Sequence, residues 1–279
     1  MIVGMLDSGV DVARSEIKNA IFVNENEIAD NGIDDDNNGY IDDVNGWDFY
    51  NDTNQVFSKD LHDHHGTFLA GIIAAKHDDA GIFGIAPDVK ILPLKFMQGT
   101  QGQISDAISA IEYASKMGVS IINCSWDNMA YSEEMKNTIE RHSNILFVCS
   151  AGKALEDIAE KPVYPACYDL PNIVTVAAVD NQLTFYSYTG FGEPVDVAAP
   201  GENIYGIMPG GELGYASGTS MAVAHVTGIA ALVKSDNPEL SAAQIAEVLK
   251  KSHQNTFQQP QIQNLGGIID AHLCLKNAG

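Results

Sequence analysis

The stretch NIVTVAAV, residues 172–179, carries apolar side chains at both odd and even positions, and so do IVGML (2–6), VKILPLKF (89–96), VSIINCS (119–125) and ILFVCSA (145–151). A strand with one wet face alternates, whereas one that is apolar on both faces belongs to a sheet covered on both sides, the habit of parallel sheets. GWDF (46–49) and PVDVAA (194–199) read as further strands. Between them lie helical patterns. Residues 65–76 gather Phe68, Leu69, Ile72 and Ile73 on one face; 105–117 is expected to start on a Ser105 cap, bury Ile108 and Ile111, and stop at Gly118. A third helix, from Ser132, buries Met135 and Ile139, a fourth over 220–234 is almost wholly apolar, and a fifth over 241–252 is capped by Ser241. Alternation of this kind predicts an α/β fold in three layers, with a mainly parallel central sheet and helices on both faces.

No repeat, linker or shift in composition divides the 279 residues, so one domain over 1–279 is expected. At 45% hydrophobic and 19% charged residues the chain has the balance of a folded globular protein. Its 37 Asp and Glu against 15 Lys and Arg give a formal charge of −22, a field that repels phosphate backbones and anionic membranes, so nucleic acid is excluded as a partner. No run approaches a membrane span, and no charged leader or cleavage site opens the chain. Localisation stays open between the cytoplasm and secretion after processing. Cys124, Cys149, Cys167 and Cys274 share no C-x-x-C spacing and read as free, small apolar residues, with a lean toward a reducing compartment.

Three short segments put reactive side chains at strand ends or helix starts: Leu6-Asp7-Ser8-Gly9, His64-His65-Gly66-Thr67 and Ser217-Gly218-Thr219-Ser220-Met221-Ala222. In open α/β sheets such positions border the crevice where ligands bind. A serine hydroxyl becomes a nucleophile when an imidazole takes its proton, and the imidazole needs a carboxylate to fix its tautomer and stabilise its cation. Asp7, His65 and Ser220 supply that set. The bland alternative makes Asp7 a strand-end cap, His65 a helix cap and Ser220 an N-cap. His62 and His64 flank the base candidate, with His64 expected at the surface, and His225 reads as a satisfied core histidine.

With these segments in the order Asp…His…Ser, the chain resembles the subtilisin-like serine peptidases, the subtilases. The likeness extends through Gly84-Ile85-Ala86-Pro87, Ile122-Asn123-Cys124-Ser125, Ser150-Ala151-Gly152, Tyr164-Pro165-Ala166, Val197-Ala198-Ala199-Pro200-Gly201 and His225-Val226-Thr227-Gly228. It implies the subtilisin-like fold and a serine endopeptidase in which Ser220 attacks a peptide carbonyl, His65 acts as base and then acid, and Asp7 orients it. It also implies a peptide or protein as substrate and a propeptide inhibitor as a second partner. The tetrahedral oxygen would meet the Ser220 backbone N–H at a helix N-terminus. Family members carry Asn after the Ala-Gly of the 150–152 segment as a second donor; here Lys153 stands in its place. Loss of one such donor costs about 10²–10³ in turnover, a size known from a member of this family. Three outcomes are open: Lys153 donates, Lys153 swings to solvent and leaves a slow enzyme, or the protein has a non-catalytic role.

The resemblance assigns the substrate walls to Gly99-Thr100-Gln101-Gly102 and Ser125-Trp126-Asp127, with Ala151 and Gly152 beside them and Val163 as an apolar pocket floor. Relatives usually have a small apolar residue and then Gly where this chain has Trp126 and Asp127. Either Trp126 narrows the pocket and Asp127 favours a basic side chain, or Trp126 packs under a loop and Asp127 faces water.

Residues 24–63 are crowded with acids and read as a loop. Within it Asp34, Asp36, Asn38, Gly39, Tyr40 and Asp42 reproduce the first nine positions of an EF-hand loop: oxygen ligands at 1, 3, 5 and 9, a glycine at 6 and the Tyr40 carbonyl at 7. Position 12 is Asn45 where a bidentate Glu is usual, and the alternative is a solvated acidic turn. Calcium is the expected cofactor, at one or two sites. The second comes from the resemblance: Asp78 and Glu16 through side chains, and Lys76, Ala80 and Ile82 through carbonyls. Asp48 and Asp52 form a third candidate. Two rivals to the endopeptidase remain, a pseudoprotease that binds peptides or regulates a partner without cleaving, and a peptide-processing transpeptidase that passes the acyl group to an amine.

Overall fold

The computed structural model describes residues 1–58, 63–77, 81–127, 130–254 and 267–279. Its first strand, β1 (Ile2–Asp7), is followed by β2 (Trp47–Asp48), helix α1 (His64–Ala74) and β3 (Lys90–Lys95). A small hairpin of β4 (Met97–Gln98) and β5 (Gln101–Gly102) leads into α2 (Ile104–Lys116), β6 (Ile121–Cys124), α3 (Glu133–Arg141), β7 (Leu146–Ser150) and β8 (Ile173–Val179). Then come β9 (Val197–Pro200), the hairpin β10 (Ile204–Ile207) and β11 (Leu213–Ala216), and helices α4 (Thr219–Asp236) and α5 (Ala242–Lys251). The short strands β12 (His253–Gln254) and β13 (Ile268–Ile269) and helix α6 (Ala271–Ala278) complete the described elements.

Nine strands form one sheet in the order β12-β13-β9-β8-β7-β6-β1-β3-β2. Every pairing is parallel except β12 with β13. The two-faced apolar strands do what their pattern requires. Val3 and Met5 of β1, Ile121 of β6 and Leu146 and Val148 of β7 enter a core shared with α1, α4 and α5. Their neighbours Leu6, Ile122, Phe147 and Cys149 enter a second core, under α2 and α3. The expected three-layer α/β sandwich is therefore the observed fold. Because β1 lies between β3 and β6, the chain order reverses direction beside it, and in open α/β sheets the carboxyl ends of strands at such a point are where ligands bind.

Helix starts are where the structure departs from expectation. Helix α2 opens one residue early, with Gln103 at its N-cap and no side-chain cap. Ser105 lies inside the first turn and its hydroxyl donates to Asp106, while Ile108 is only half-buried. Ser132 and Ser241 do cap: Ser132 accepts from Met135 N, and Ser241 forms a capping box with Gln244. Neither His65 nor Ser220 is a cap, since Asp63 and Gly218 hold those positions. No cysteine is bonded to another; Cys124, Cys149 and Cys274 are buried. Among the described residues, no helix is long and apolar enough to cross a membrane.

Candidate active site

Asp7 ends β1 with its side chain fully buried, and its Oδ1 lies 2.8 Å from His65 Nδ1. The same oxygen accepts from Ser8 N at 2.7 Å and Ser8 Oγ at 3.1 Å, while Oδ2 is buried without a partner. His65 reaches it because Gly66 lets the first turn of α1 lie directly on β1: a Cβ at Gly66 would stand 2.4 Å from the Gly9 carbonyl oxygen. Burial works against a charged imidazole at His65, but the Asp7 charge and hydrogen bond outweigh it and hold the pKa above its ordinary value.

The start of α1 is pinned by a residue that sequence reading passed over. Lys95, at the end of β3, is buried, and its Nζ lies 3.0 Å from Asp63 Oδ1, 3.1 Å from the Ser8 carbonyl and 3.8 Å from Asp48 Oδ2. Asp63 also accepts from Ser58 N and Oγ, each at 2.7 Å. The ammonium thus ties the residue after Asp7 to the cap of the helix that carries His65. A charge inside the apolar strand VKILPLKF was the available signal.

Ser220 sits in the first turn of α4, at the amide-rich end of an 18-residue helix. A buried polar chain fixes it to the sheet. Thr227 Oγ1 donates to Asn123 Oδ1 (3.0 Å), Asn123 Nδ2 to Ser125 Oγ (2.8 Å), and Ser125 Oγ to the Ser220 carbonyl (3.2 Å). The Ser220 hydroxyl donates to the Ser125 carbonyl at 3.2 Å. Among the described residues no hydrogen bond joins it to His65; such bonds commonly tighten only with substrate present. Thr219 Oγ1 donates to the Gly152 carbonyl at 2.8 Å, bringing Ala151-Gly152 against the same helix end.

Lys153 follows this segment with its side chain 65% exposed, and its Nζ lies 3.8 Å from Asp127 Oδ1. Asp127 itself is turned inward rather than to water. A Cβ added at Gly152, whose φ is +92°, would stand 3.3 Å from Asp127 Oδ2 and 3.4 Å from Val163 Cγ1. Trp126 does not line the rim: it is buried, its ring centroid 5.0 Å from that of Phe96 and its Nε1 without a partner. Gly99 and Thr100 form the turn of the β4–β5 hairpin, and Gln101 and Gly102 its second strand. Of the other histidines, His64 is half-buried against Phe57, His225 is half-buried and donates through Nδ1 to the Met221 carbonyl of its own helix, and His62 lies outside the described residues.

The acidic loop folds around a centre different from the one its spacing suggests. The carboxylates of Glu27, Asp36 and Asp43 approach within 4.8 Å of one another. Asn24 and Asn38 amides donate to Asp36 and Asp43, and Tyr113 donates to Asp43 at 2.5 Å. Asp34 accepts from Asn38 N and Gly39 N, and Asp42 from Asn31 N and Gly32 N; Glu27 likewise accepts from Asp35 N, Asp36 N and Asp42 N, but among the described residues only Glu27, Asp36 and Asp43 bring three carboxylates together. The Tyr40 ring packs edge-on against Trp47, Phe49 and Tyr113. Three close carboxylates are a hard-oxygen set that suits a divalent cation such as calcium. Glu27 was missed because it lies outside the contiguous motif, and Asp43 because it falls at position 10 of the loop, which the pattern does not use as a ligand. At the second expected site, Arg14 pairs with Glu16 and lowers its pKa, Lys76 N donates to the Glu16 carbonyl at 3.0 Å, and Ile82 is buried. Asp78 and Ala80 lie outside the described residues. Asp48 accepts from Tyr50 N and Asn51 N of its own turn and faces Lys95, so it is spent on structure.

The sequence profile of the subtilase family matches residues 1–268. Subtilisin-like protease 1 of Plasmodium berghei is 33% identical over 300 residues, covering 98% of this chain and 49% of the relative, so the chain spans about half of that protein's length. The major intracellular serine protease of Bacillus subtilis is 32% identical over 251 residues, covering 88% of this chain and 72% of the relative. In fold, a protease from Pseudoalteromonas arctica superposes with a TM-score of 0.80 at 22% identity, over 100% of this chain and 90% of that one. The chain belongs to the subtilase family.

Proposed function

We propose that the protein is a serine endopeptidase in which Ser220, His65 and Asp7 hydrolyse a peptide bond through an acyl-enzyme. The observation that carries this reading is the 2.8 Å contact between the buried Asp7 carboxylate and His65 Nδ1, with Ser220 in the first turn of α4, a helix packed against α1. Asp7 accepts the Nδ1–H, which leaves Nε2 free as the base. As Ser220 Oγ bonds to the carbonyl carbon, its proton passes to Nε2 and the carbonyl oxygen becomes negative toward the Ser220 N–H. Collapse breaks the C–N bond, and the leaving amine takes the proton from His65. Water then attacks the ester with His65 again as base, the C–O bond to Ser220 breaks, and His65 returns the proton to the Ser220 oxygen as the acid product leaves. Lys153, at the position of the family's second oxyanion donor, makes the oxyanion hole atypical. The substrate is a peptide or protein lying between residues 99–102 and 125–127, and an inhibitory propeptide would occupy the same channel.

Labelling by a fluorophosphonate, lost in Ser220→Ala, is the direct test. A second reading, a pseudoprotease, draws on Lys153 pointing to Asp127 and on the Ser220 hydroxyl pointing to Ser125. Folded protein that binds peptide yet resists the probe would favour it.

The raised pKa of His65 sets an expected pH profile. The base must be neutral, so kcat/KM rises with pH and reaches half its plateau above the ordinary imidazole value of about 6.5. In Asp7→Asn the charge that favours the cation is gone, so the midpoint moves down while kcat falls by about 10⁴. An unmoved midpoint would separate His65 from Asp7.

Calcium held by Glu27, Asp36 and Asp43 would stabilise the loop and take no part in the chemistry. Removing calcium with EDTA is expected to lower Tm by roughly 5–10 °C, restored by calcium and absent in Asp36→Asn. A Tm indifferent to EDTA would count against the site.

A further inference from the structure

Beside the nucleophile, an acid and a base stand where the family usually carries neither. The Asp127 carboxylate and Val163 flank Gly152 at 3.3 and 3.4 Å from its Cβ position. This contact is linked to Ser220 through the Ser125 carbonyl on one side and the Gly152 carbonyl, held by Thr219, on the other. Asp127 is 13% exposed, and a carboxylate so withdrawn from water needs a cation. Among the described residues that cation is Lys153, held loosely: 3.8 Å away, beyond hydrogen-bond distance, and largely in solvent.

We propose that Asp127 selects an arginine or lysine on the acyl side of the scissile bond, and that this side chain displaces Lys153, freeing its ammonium to donate to the developing oxyanion. The inference rests on the peptidase reading above. Three physical points support it. Asp127 stays paired before and after the exchange, so no carboxylate is left desolvated alone. A guanidinium matches a carboxylate with two parallel hydrogen bonds, which a 3.8 Å ammonium contact does not. Finally, Lys153 has somewhere to go: it also lines a cleft of about 290 Å³ with Tyr186, Tyr188, Ser217 and Gly218, the last two residues before α4. The formal charge of −22 further draws cationic peptides to the surface.

Coupling of this kind shows in kcat as well as in KM. With matched fluorogenic peptides carrying Arg or Leu before the scissile bond, the wild type is expected to turn over the Arg peptide about 10²–10³ times faster, the worth of one oxyanion donor. Lys153→Met removes that advantage in kcat without raising KM for the Arg peptide. Asp127→Asn weakens benzamidine binding at least 30-fold and, because Lys153 is released, raises kcat for the Leu peptide about tenfold or more. An Arg peptide unaffected by Lys153→Met, or a Leu peptide not accelerated by Asp127→Asn, overturns the exchange. Fluorophosphonate labelling separates the two levels. Labelled wild type with no preference for Arg ends this inference and leaves the peptidase reading standing, whereas unlabelled wild type removes both.

Discussion

Ser220→Ala is expected to lower kcat for peptide hydrolysis by about 10⁶, the size known for loss of the nucleophile in subtilisin. Asp7 and His65 keep their hydrogen bond in this variant but have no alcohol to activate. What survives is the contribution of substrate positioning and of the helix amides, about 10³–10⁴ over water. Stability should hardly move, because the hydroxyl makes one hydrogen bond, to the Ser125 carbonyl, worth about 0.5–1.5 kcal/mol. Steady-state rates on a fluorogenic peptide and thermal unfolding give the two readings. A fall of less than 10²-fold with intact folding would remove Ser220 from the chemistry.

The second large effect concerns stability. Lys95→Met keeps the length and apolar stem of a buried side chain but deletes the cation between Asp63 and Asp48. Breaking a buried pair from one side typically costs about 3–5 kcal/mol, because the partner charge is left uncompensated. Burial already raises the pKa of Asp48, with Lys95 among the groups opposing that rise, so the variant pushes Asp48 further toward its neutral acid. Asp63 keeps its two contacts with Ser58, which softens the loss there. Urea unfolding in the Ser220→Ala background avoids self-digestion. A change below about 1 kcal/mol would mean that Lys95 is a passenger.

The parts of this molecule that local chemistry determines were legible from residues alone. Strands β6, β7 and β8 declared their parallel, doubly covered place through apolar side chains on both faces. Ser132 and Ser241 announced helix starts because a hydroxyl three residues before a free amide is a local event. Ser105 misled for the same reason: the chain enters α2 from the β4–β5 hairpin, and that approach, not the hydroxyl, places the start at Ile104. Long-range partners were out of reach. Glu27 joins Asp36 and Asp43 across an intervening turn, and Lys95 meets Asp63 across the joint between β3 and α1. The direction of the Lys153 side chain depends on Asp127, 26 positions earlier in the chain, and no spacing rule connects them.

The position of β1 also bears on how the molecule comes into being. It is paired on one side by β3 and on the other by β6, so it has no neighbour in this sheet until residues 90–95 and then 121–124 have been made. Ser220 arrives a hundred residues later still, on a helix whose seat is the finished sheet. Folding by such distant pairings is slow. During synthesis the growing polypeptide is therefore open to attack by other proteases for a long interval, and the helix that carries Ser220 is seated only when nearly all of the sheet beneath it is closed.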